Sequence, residues 1–589
     1  MCGITGIISN SNDLKVNVIK DMKNQLNHRG PDSNDIWFDK SSGVYFGHNR
    51  LSIIDLSENA NQPMVSKNNR YVMVYNGEVY NHENIKYEIQ KEKKIFFKGH
   101  SDTEIILEAI SLWGFDEAIK KFIGMFAISV WDTYSKNLYL AIDRMGEKPL
   151  YYGFAGNDFV FASELKAIKK HIHFENILDT NSLQQFLQYS YIPAPNSIYK
   201  NIYKLCPGER LILNKDKFNE VRSNYKFDET NRSQWFKLEN LITESKNNVY
   251  LDYEHAIKDI ENSITKSIEL QSISDVKLGV FLSGGIDSSL IASLKAKKMN
   301  EKIDTFTMAF EDSNYNEALF AKKISKELNT NHHEFLVNKS NIHNIIDSLH
   351  NIYDEPFADS SQIPTSLLCK SAKNKLSVCL TGDGGDEVFG GYNRYIWLNK
   401  LWNRIYILPH FIKNIFTKII EFIPTKDLKK IDIFLNLIMT SKKNNIHFLF
   451  QKLERLSKNL NNVKSKKDLY YSFTNIWLNI NDLIDSEISN HFFEFRNKFF
   501  DINNNNFSEK MMYVDSISYL PYDILVKVDR ASMYSSLETR APFLDLNVIK
   551  NSWRLPYKMK ISGNSGKVIL KDIMQKYLPN YLTNRPKQG

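Results

Sequence analysis

Over the first 200 or so residues, short apolar runs alternate with polar turns. Tyr71-Val72-Met73-Val74-Tyr75 and Phe126-Ala127-Ile128-Ser129-Val130 are β-branched and aromatic runs of strand length. Ile105, Ile106, Ala109 and Leu112 recur at helical spacing and predict a helix over 102–113. Together these predict an α+β sandwich over residues 2–213. From about 214 to 253 the chain turns polar and aperiodic, which reads as a connecting segment. The rhythm changes again at 254. A helix is predicted over 256–270, an apolar strand over 277–282, then a Gly-rich loop and a helix from about Ser288. Further strands at 305–310 and 376–380, with helices between, predict a parallel α/β sheet within a second domain, 254–589. The stretch 395–510 reads as a largely helical insertion, with an amphipathic helical hairpin over 396–424.

Composition removes several function classes. The 589 residues are 42% hydrophobic, enough for several domains with real cores. The net charge is +8, and residues 400–468 hold 15 basic and 5 acidic side chains. No zinc finger or aromatic RNA-binding motif accompanies that excess, so a solvated helical face is expected and no nucleic-acid partner. The Asn503–Asn506 run reads as a loop. Lys400, Arg404, Lys413 and Lys418 interrupt the most apolar stretch, so no membrane span is expected. Four scattered cysteines (Cys2, Cys206, Cys369, Cys379) suit neither a disulfide framework nor a zinc site. No secretory segment precedes Cys2, so the expected location is the cytoplasm.

Cys2 carries the most chemistry. A small second residue permits removal of Met1, which would leave a cysteine with a free α-amine. That amine titrates at about 7.7–8.0, so it can take the thiol proton and make one residue both nucleophile and base. Four polar segments follow: His28-Arg29-Gly30-Pro31-Asp32, Asn49-Arg50-Leu51-Ser52-Ile53-Ile54-Asp55, Tyr75-Asn76-Gly77-Glu78 and Gly99-His100-Ser101-Asp102-Thr103-Glu104. Alone, Asn76-Gly77 reads as a hairpin turn and Arg50 as a surface arginine.

Together, behind Cys2, these segments resemble the class II glutamine amidotransferase domain, an N-terminal nucleophile sandwich. The resemblance implies that Cys2 attacks the glutamine amide and that Asn76 and Gly77 stabilise the oxyanion. It also implies a glutamine pocket of Arg50, Leu51, Ile53, Ile54, Asn76, Gly77, Glu78 and Asp102. Arg50 would fork onto the α-carboxylate, and Glu78 and Asp102 would hold the α-ammonium.

A second set lies in the α/β region. Leu282-Ser283-Gly284-Gly285-Ile286-Asp287-Ser288-Ser289 joins a predicted strand to a predicted helix, where glycine N–H groups can approach a polyphosphate. It is not a Walker A loop, and it resembles the PP-loop of ATP pyrophosphatases. Thr381-Gly382-Asp383-Gly384-Gly385-Asp386-Glu387 follows another apolar strand. With both sets in place, the whole chain resembles glutamine-hydrolysing asparagine synthetases. The resemblance implies ATP and Mg²⁺ as cofactors, with Leu282, Ser283, Gly284, Gly285, Asp287, Ser288, Met308, Thr381 and Gly382 at the nucleotide. It implies Asp287 and Asp386 at the metal, and Asp383 and Lys567 as catalytic groups. Asp383 stands where the family commonly has glutamate, and Lys567 on a helix would ordinarily be solvated. Asp529-Arg530 and Thr539-Arg540 also fit the family pattern but read as helix packing and turn structure. His332-His333 face opposite sides of a strand, so a metal site there is not expected. The chain stops at Gly589, where family members usually continue, which suggests a longer natural protein.

The expected reaction amidates aspartate to asparagine with glutamine-derived ammonia, through an acyl-adenylate, giving AMP and pyrophosphate. The alternative keeps this machinery and changes the acceptor to another carboxylate, such as a surface-sugar or cell-wall precursor. A non-catalytic binding protein does not account for Cys2, Asn76, Gly77, Asp287 and Asp386 together. The oligomeric state is left open, with a homodimer as one option.

Overall fold

The computed structural model describes residues 2–10, 15–218, 220–221, 227, 231–310, 317–405, 463–477 and 506–583. Its amino-terminal part holds two six-stranded sheets. Gly3–Ile8 runs through the first, antiparallel to Val44–Arg50 on one side and Asp158–Ala162 on the other. Tyr71–Val79 pairs along its whole length with Gly124–Asp132 in the second.

Residue alternation explains why Tyr71–Val79 is apolar on both faces. Val72 and Val74 point at the other sheet and pack with Ile4, Phe46 and Trp131. Tyr71, Met73 and Tyr75 point the opposite way, onto Ile105, Ile106 and Ile110 of the helix Asp102–Trp113. On the far side, Ile19 and Met22 of the helix Val16–Asn24 cover the first sheet. The result is four layers, helix–sheet–sheet–helix. Each fully buried aliphatic side chain in such layers contributes about 1.5–3 kcal/mol.

The carboxy-terminal part is built on one parallel sheet of five strands. Leu278–Phe281 lies at its centre, between Asp304–Phe310 and Val378–Leu380. Asn331–Val337 and Glu538–Arg540 take the two edges. The helix Tyr253–Gln271 leads into it, and Ile286–Ser293 follows the central strand. Of the stretch 395–510, the helices Asn393–Ile405, Lys466–Thr474 and Phe507–Ile517 are described. Most of the hairpin expected over 396–424, the bulk of the basic excess and the Asn503–Asn506 run up to 505 lie outside the described residues.

Among its described residues, the polar segment 214–253 holds a strand and a helix. Arg232–Gln234 adds an edge strand beside Glu209–Asn214. The helix Leu238–Lys246 lays Leu238, Leu241 and Ile242 into the carboxy-terminal core. His332 and His333 are spent on the neighbouring strand, at Thr305 (2.9 Å) and Asp304 (3.0 Å). No helix among the described residues is long and apolar enough to cross a membrane.

One core residue is chemically costly. Lys560 is 0% exposed, its Nζ has no hydrogen-bond partner among the described residues, and it lies 4.2 Å over the Trp553 ring. Burial pushes its ammonium down to about 7, with Glu509 opposing. Between that value and the ordinary lysine value near 10.5 the unfolded chain binds the extra proton, so this site adds stability as pH rises through that window. Lys560→Met is expected to stabilise the fold at pH 7 by about 1–2 kcal/mol. It should also flatten the rise in melting temperature from pH 7 to 10. Scanning calorimetry at several pH values measures both; an unchanged slope would mean that Lys560 stays charged in the folded protein.

Candidate active sites

Cys2 is buried just before Gly3–Ile8, at the end of a strand whose backbone is paired on both sides. Met1 precedes it, so the Cys2 nitrogen here is a peptide amide standing where the α-amine of a processed chain would be. That nitrogen donates to Asn76 Oδ1 at 2.9 Å. The Cys2 carbonyl accepts from Arg29 Nε at 3.1 Å. Burial pushes the Cys2 thiol up, and the Leu51 backbone and the Arg50 charge oppose it.

Asn76 and Gly77 sit inside the strand Tyr71–Val79, not in a hairpin turn. The Asn76 side chain is 0% exposed, and its Nδ2 donor has no partner among the described residues. Tyr75 N–H goes to the Gln62 side chain (2.7 Å) and Val79 N–H to Asp102 (2.9 Å), both off the ladder with Gly124–Asp132. Strand alternation turns the Gly77 N–H to that same side. Phe126, opposite Gly77, is occupied by Asp143 instead. A Cβ on residue 77 would collide with the Met125 carbonyl, so only glycine fits. Among the described residues the Asn76 Nδ2 beside Cys2 therefore has no protein acceptor, and the next residue turns its N–H away from the ladder.

Arg50 is buried and not solvated. Its guanidinium donates to the Ser57 carbonyl (2.8 Å), the Asn61 side chain (3.0 Å) and the Asp55 carbonyl. No carboxylate pairs with it among the described residues, so its charge is open to an anion. Asp102 accepts from Tyr75 Oη at 2.8 Å as well as from Val79. Burial, together with Asp102 and Glu538, holds the Glu78 carboxyl well above the usual carboxylate range, with Arg540 opposing. A ligand ammonium between Glu78 and Asp102 would relieve that repulsion. Leu51, Ile53 and Ile54 form an apolar wall with Tyr80, Met125, Val378 and Met533.

The second site lies where the loops leave Leu278–Phe281 and Val378–Leu380. Neighbouring carboxyl ends of parallel strands make such a crevice. Ser283 and Ser288 bond to one another at 3.1 Å, and Gly285 N–H donates to Ser283 Oγ at 3.2 Å, which shapes the turn into Ile286–Ser293. Gly284 adopts φ +78° in that turn. Gly382 packs on the same helix start: a Cβ there would come within 2.8 Å of the Asp287 Cβ. Leu282 and Thr381 are buried beneath the loops, and Met308 is half-buried in the next strand. Burial pushes the Asp383 carboxyl up, with a Thr381 hydrogen bond and the Lys527 charge opposing.

Lys567 is not a solvated helix lysine. It precedes the helix Val568–Gln575 in the left-handed conformation, φ 54°, and is 5% exposed. Its Nζ joins Asp386 (2.6 Å) and Asp287, residues from two different loops. Burial opposes the charge, but the two carboxylates outweigh it and hold the ammonium above the usual lysine range. Glycine at 391 makes this approach possible, since a Cβ there would strike the Asp386 carboxylate and the Lys567 chain. No group of three or more His, Cys, Asp or Glu among the described residues could hold an ion alone. Magnesium ordinarily takes one or two carboxylates with phosphate and water oxygens, so the pair Asp287 and Asp386 fits it.

The two sites share a border that sequence reading missed. Asp529 and Arg540 do more than pack a helix and a turn. Asp529 takes both arms of Arg29, at 3.0 and 3.1 Å. Arg540 lies 2.6 Å from Glu538 and 3.7 Å from Glu78. Lys527, two residues before Asp529, reaches Asp359 at 3.3 Å. Glu355 is tied to Lys204 (2.5 Å) and Tyr151 (3.2 Å) of the amino-terminal part.

Two families match along the chain. The glutamine amidotransferase domain matches residues 1–226 and asparagine synthase matches residues 259–589. Asparagine synthetase [glutamine-hydrolyzing] 1 of Bacillus subtilis is 31% identical, covering 100% of this chain and 86% of the relative. Putative asparagine synthetase [glutamine-hydrolyzing] 2 of Methanocaldococcus jannaschii is 33% identical over 71% of this chain and 81% of its own. A putative asparagine synthetase [glutamine-hydrolyzing] of Mycobacterium bovis is 29% identical over 96% of this chain and 82% of its own. The chain therefore belongs to the asparagine synthase family of enzymes, with a glutamine amidotransferase domain at its amino end.

Proposed function

We propose that this enzyme hydrolyses glutamine at Cys2 and uses the ammonia to amidate aspartate, which ATP activates as its β-adenylate. The observation that carries the first half is the unpartnered, fully buried Asn76 Nδ2 beside Cys2. A donor buried without a partner is costly unless a ligand oxygen completes it. The oxyanion of the tetrahedral intermediate is such an oxygen, with the Gly77 N–H as second donor. In the processed chain the Cys2 amine, steered by Asn76 Oδ1, takes the thiol proton and returns it to the leaving ammonia. Arg50 pairs with the glutamine α-carboxylate; Glu78 and Asp102 hold the α-ammonium.

The second half rests on Lys567, Asp287 and Asp386. Mg²⁺, when bound, neutralises charge on the pyrophosphate leaving group. Asp287 and Asp386 orient it, Ser283 to Ser288 receive the phosphates, and Leu282, Met308, Thr381 and Gly382 flank the adenosine. Lys567 offers its ammonium to the charge that develops as the phosphate bond breaks. The apolar border of Leu51, Ile53, Ile54, Tyr80, Met125, Val378 and Met533 supports transfer of neutral ammonia between the sites, away from water. A second reading keeps every step and changes the acceptor. It is favoured only by Asp383, whose side chain is shorter than the family's usual glutamate. Mass spectrometry of the amide product with aspartate as sole acceptor separates the two.

Cys2→Ala is expected to abolish glutamine-dependent turnover, by about 1000-fold or more, and to leave ammonium-dependent turnover within about twofold. Pyrophosphate release with each nitrogen source measures the split. Retained glutamine use would remove Cys2 from the chemistry. Asp386→Asn should suppress turnover with both nitrogen sources by about 100-fold while glutaminase activity stays measurable. Equal loss of glutaminase activity would place Asp386 in the fold and not at the phosphates.

A further inference from the structure

Cys2 is the first residue of a processed chain, and chain ends are poorly ordered unless something ties them down. Two bonds do so here. Asn76 Oδ1 fixes the Cys2 nitrogen, and Arg29 Nε fixes the Cys2 carbonyl. With both backbone groups held, the direction of the Cα–Cβ bond, and so of the thiol, is set. Arg29 must itself be oriented. It is 0% exposed, and within the amino-terminal part Glu164 bonds only one of its arms, at 2.6 Å. The second arm is held from the other half of the molecule, by Asp529 in the helix Leu525–Tyr534.

We propose that Asp529 is a positioning residue for the glutaminase nucleophile, acting through Arg29 across the boundary between the two domains. The inference rests on Cys2 being that nucleophile. The geometry is specific. Both Asp529 oxygens meet both Arg29 arms, a bidentate fork that fixes the guanidinium plane and so the direction of Nε. Asp529 is 3% exposed and faces Arg29, Lys148 (3.4 Å) and Arg530 (2.8 Å). These three cations outweigh its burial and hold its carboxyl down to about 2, so it is charged at every working pH. Glu164 is meanwhile shared with His28 (2.9 Å) and Lys166 (2.7 Å), and cannot take over the second arm. The same helix carries Lys527, whose charge is felt by Asp383 at the nucleotide side. One short helix therefore contacts the supports of both sites. A shift of this helix when the second site fills would alter the Cys2 carbonyl.

The test uses the full chain and three assays: glutaminase activity, ammonium-dependent pyrophosphate release, and thermal melting. In Asp529→Asn, glutaminase kcat is expected to fall about 10- to 100-fold, as for a nucleophile displaced by a fraction of an ångström. The glutamine KM should stay within about threefold, because Arg50, Glu78 and Asp102 are untouched. Ammonium-dependent release should also stay within about threefold. Combining Asp529→Asn with Arg29→Gln should add little to either single defect, since both break one link. Unchanged glutaminase kcat in Asp529→Asn, additive defects, or equal losses in both activities would each overturn the proposal. If Asp529→Asn is recovered unfolded, Arg29→Lys decides by the same kcat split, because it keeps the charge and loses the fork. Absence of glutaminase activity in the unaltered enzyme would instead overturn the role of Cys2 itself.

Discussion

A guanidinium with no exposure at all is the constraint on which both halves of this molecule depend. Arg29 cannot shed its charge, so its removal from water must be answered by anions with good geometry. Glu164 supplies one from its own domain and Asp529 supplies the other from far along the chain. The surrounding pairs, Lys148 with Asp529, Lys166 with Asp354, and Arg540 with Glu538 and Glu78, extend the same principle across the boundary. Such pairs add little net stability, but breaking one leaves a buried charge uncompensated. Their effect is to fix register: the two domains meet in one arrangement, and in that arrangement Leu51, Ile53 and Ile54 pack against Val378 and Met533.

The layers place the chemistry. In the sandwich, the strand that follows Cys2 belongs to one sheet and Asn76–Gly77 to the other, so packing the sheets brings Cys2 against the Asn76 side chain, the arrangement the proposed chemistry needs. In the parallel sheet, two adjacent strands end at Leu282 and Thr381, and their loops converge on Lys567. Both sites thus stand on rigid elements, with glycines where a side chain would collide, as at 77 and 391.

Much of this was legible in the sequence. The strands around Tyr71 and Phe126 and the helix 102–113 were readable because their apolar positions keep a clean period of 2 or 3.6. The parallel sheet was readable from strand–loop–helix order. The polar residues of both sites were readable only as sets, since Asn76-Gly77 alone looks like a turn and is placed beside Cys2 by a strand pairing that no local pattern reveals. Lys567 looked like a solvated lysine because its approach to Asp386 needs the missing Cβ of Gly391, far away in sequence. The border residues Asp529 and Arg540 were misread for the same reason. Their partners lie 500 and more than 460 positions away, and long-range ion pairs leave no periodic trace.

The central claim is that glutamine nitrogen moves between the two sites inside the protein. The most direct measurement supplies glutamine labelled with ¹⁵N in its side-chain amide, together with a large excess of unlabelled ammonium salt and aspartate, and reads the label in the product amide. A closed apolar border predicts product far richer in ¹⁵N than the bulk ammonium pool. Product diluted to the bulk ratio would show that the ammonia leaves into solvent, and would contradict the account.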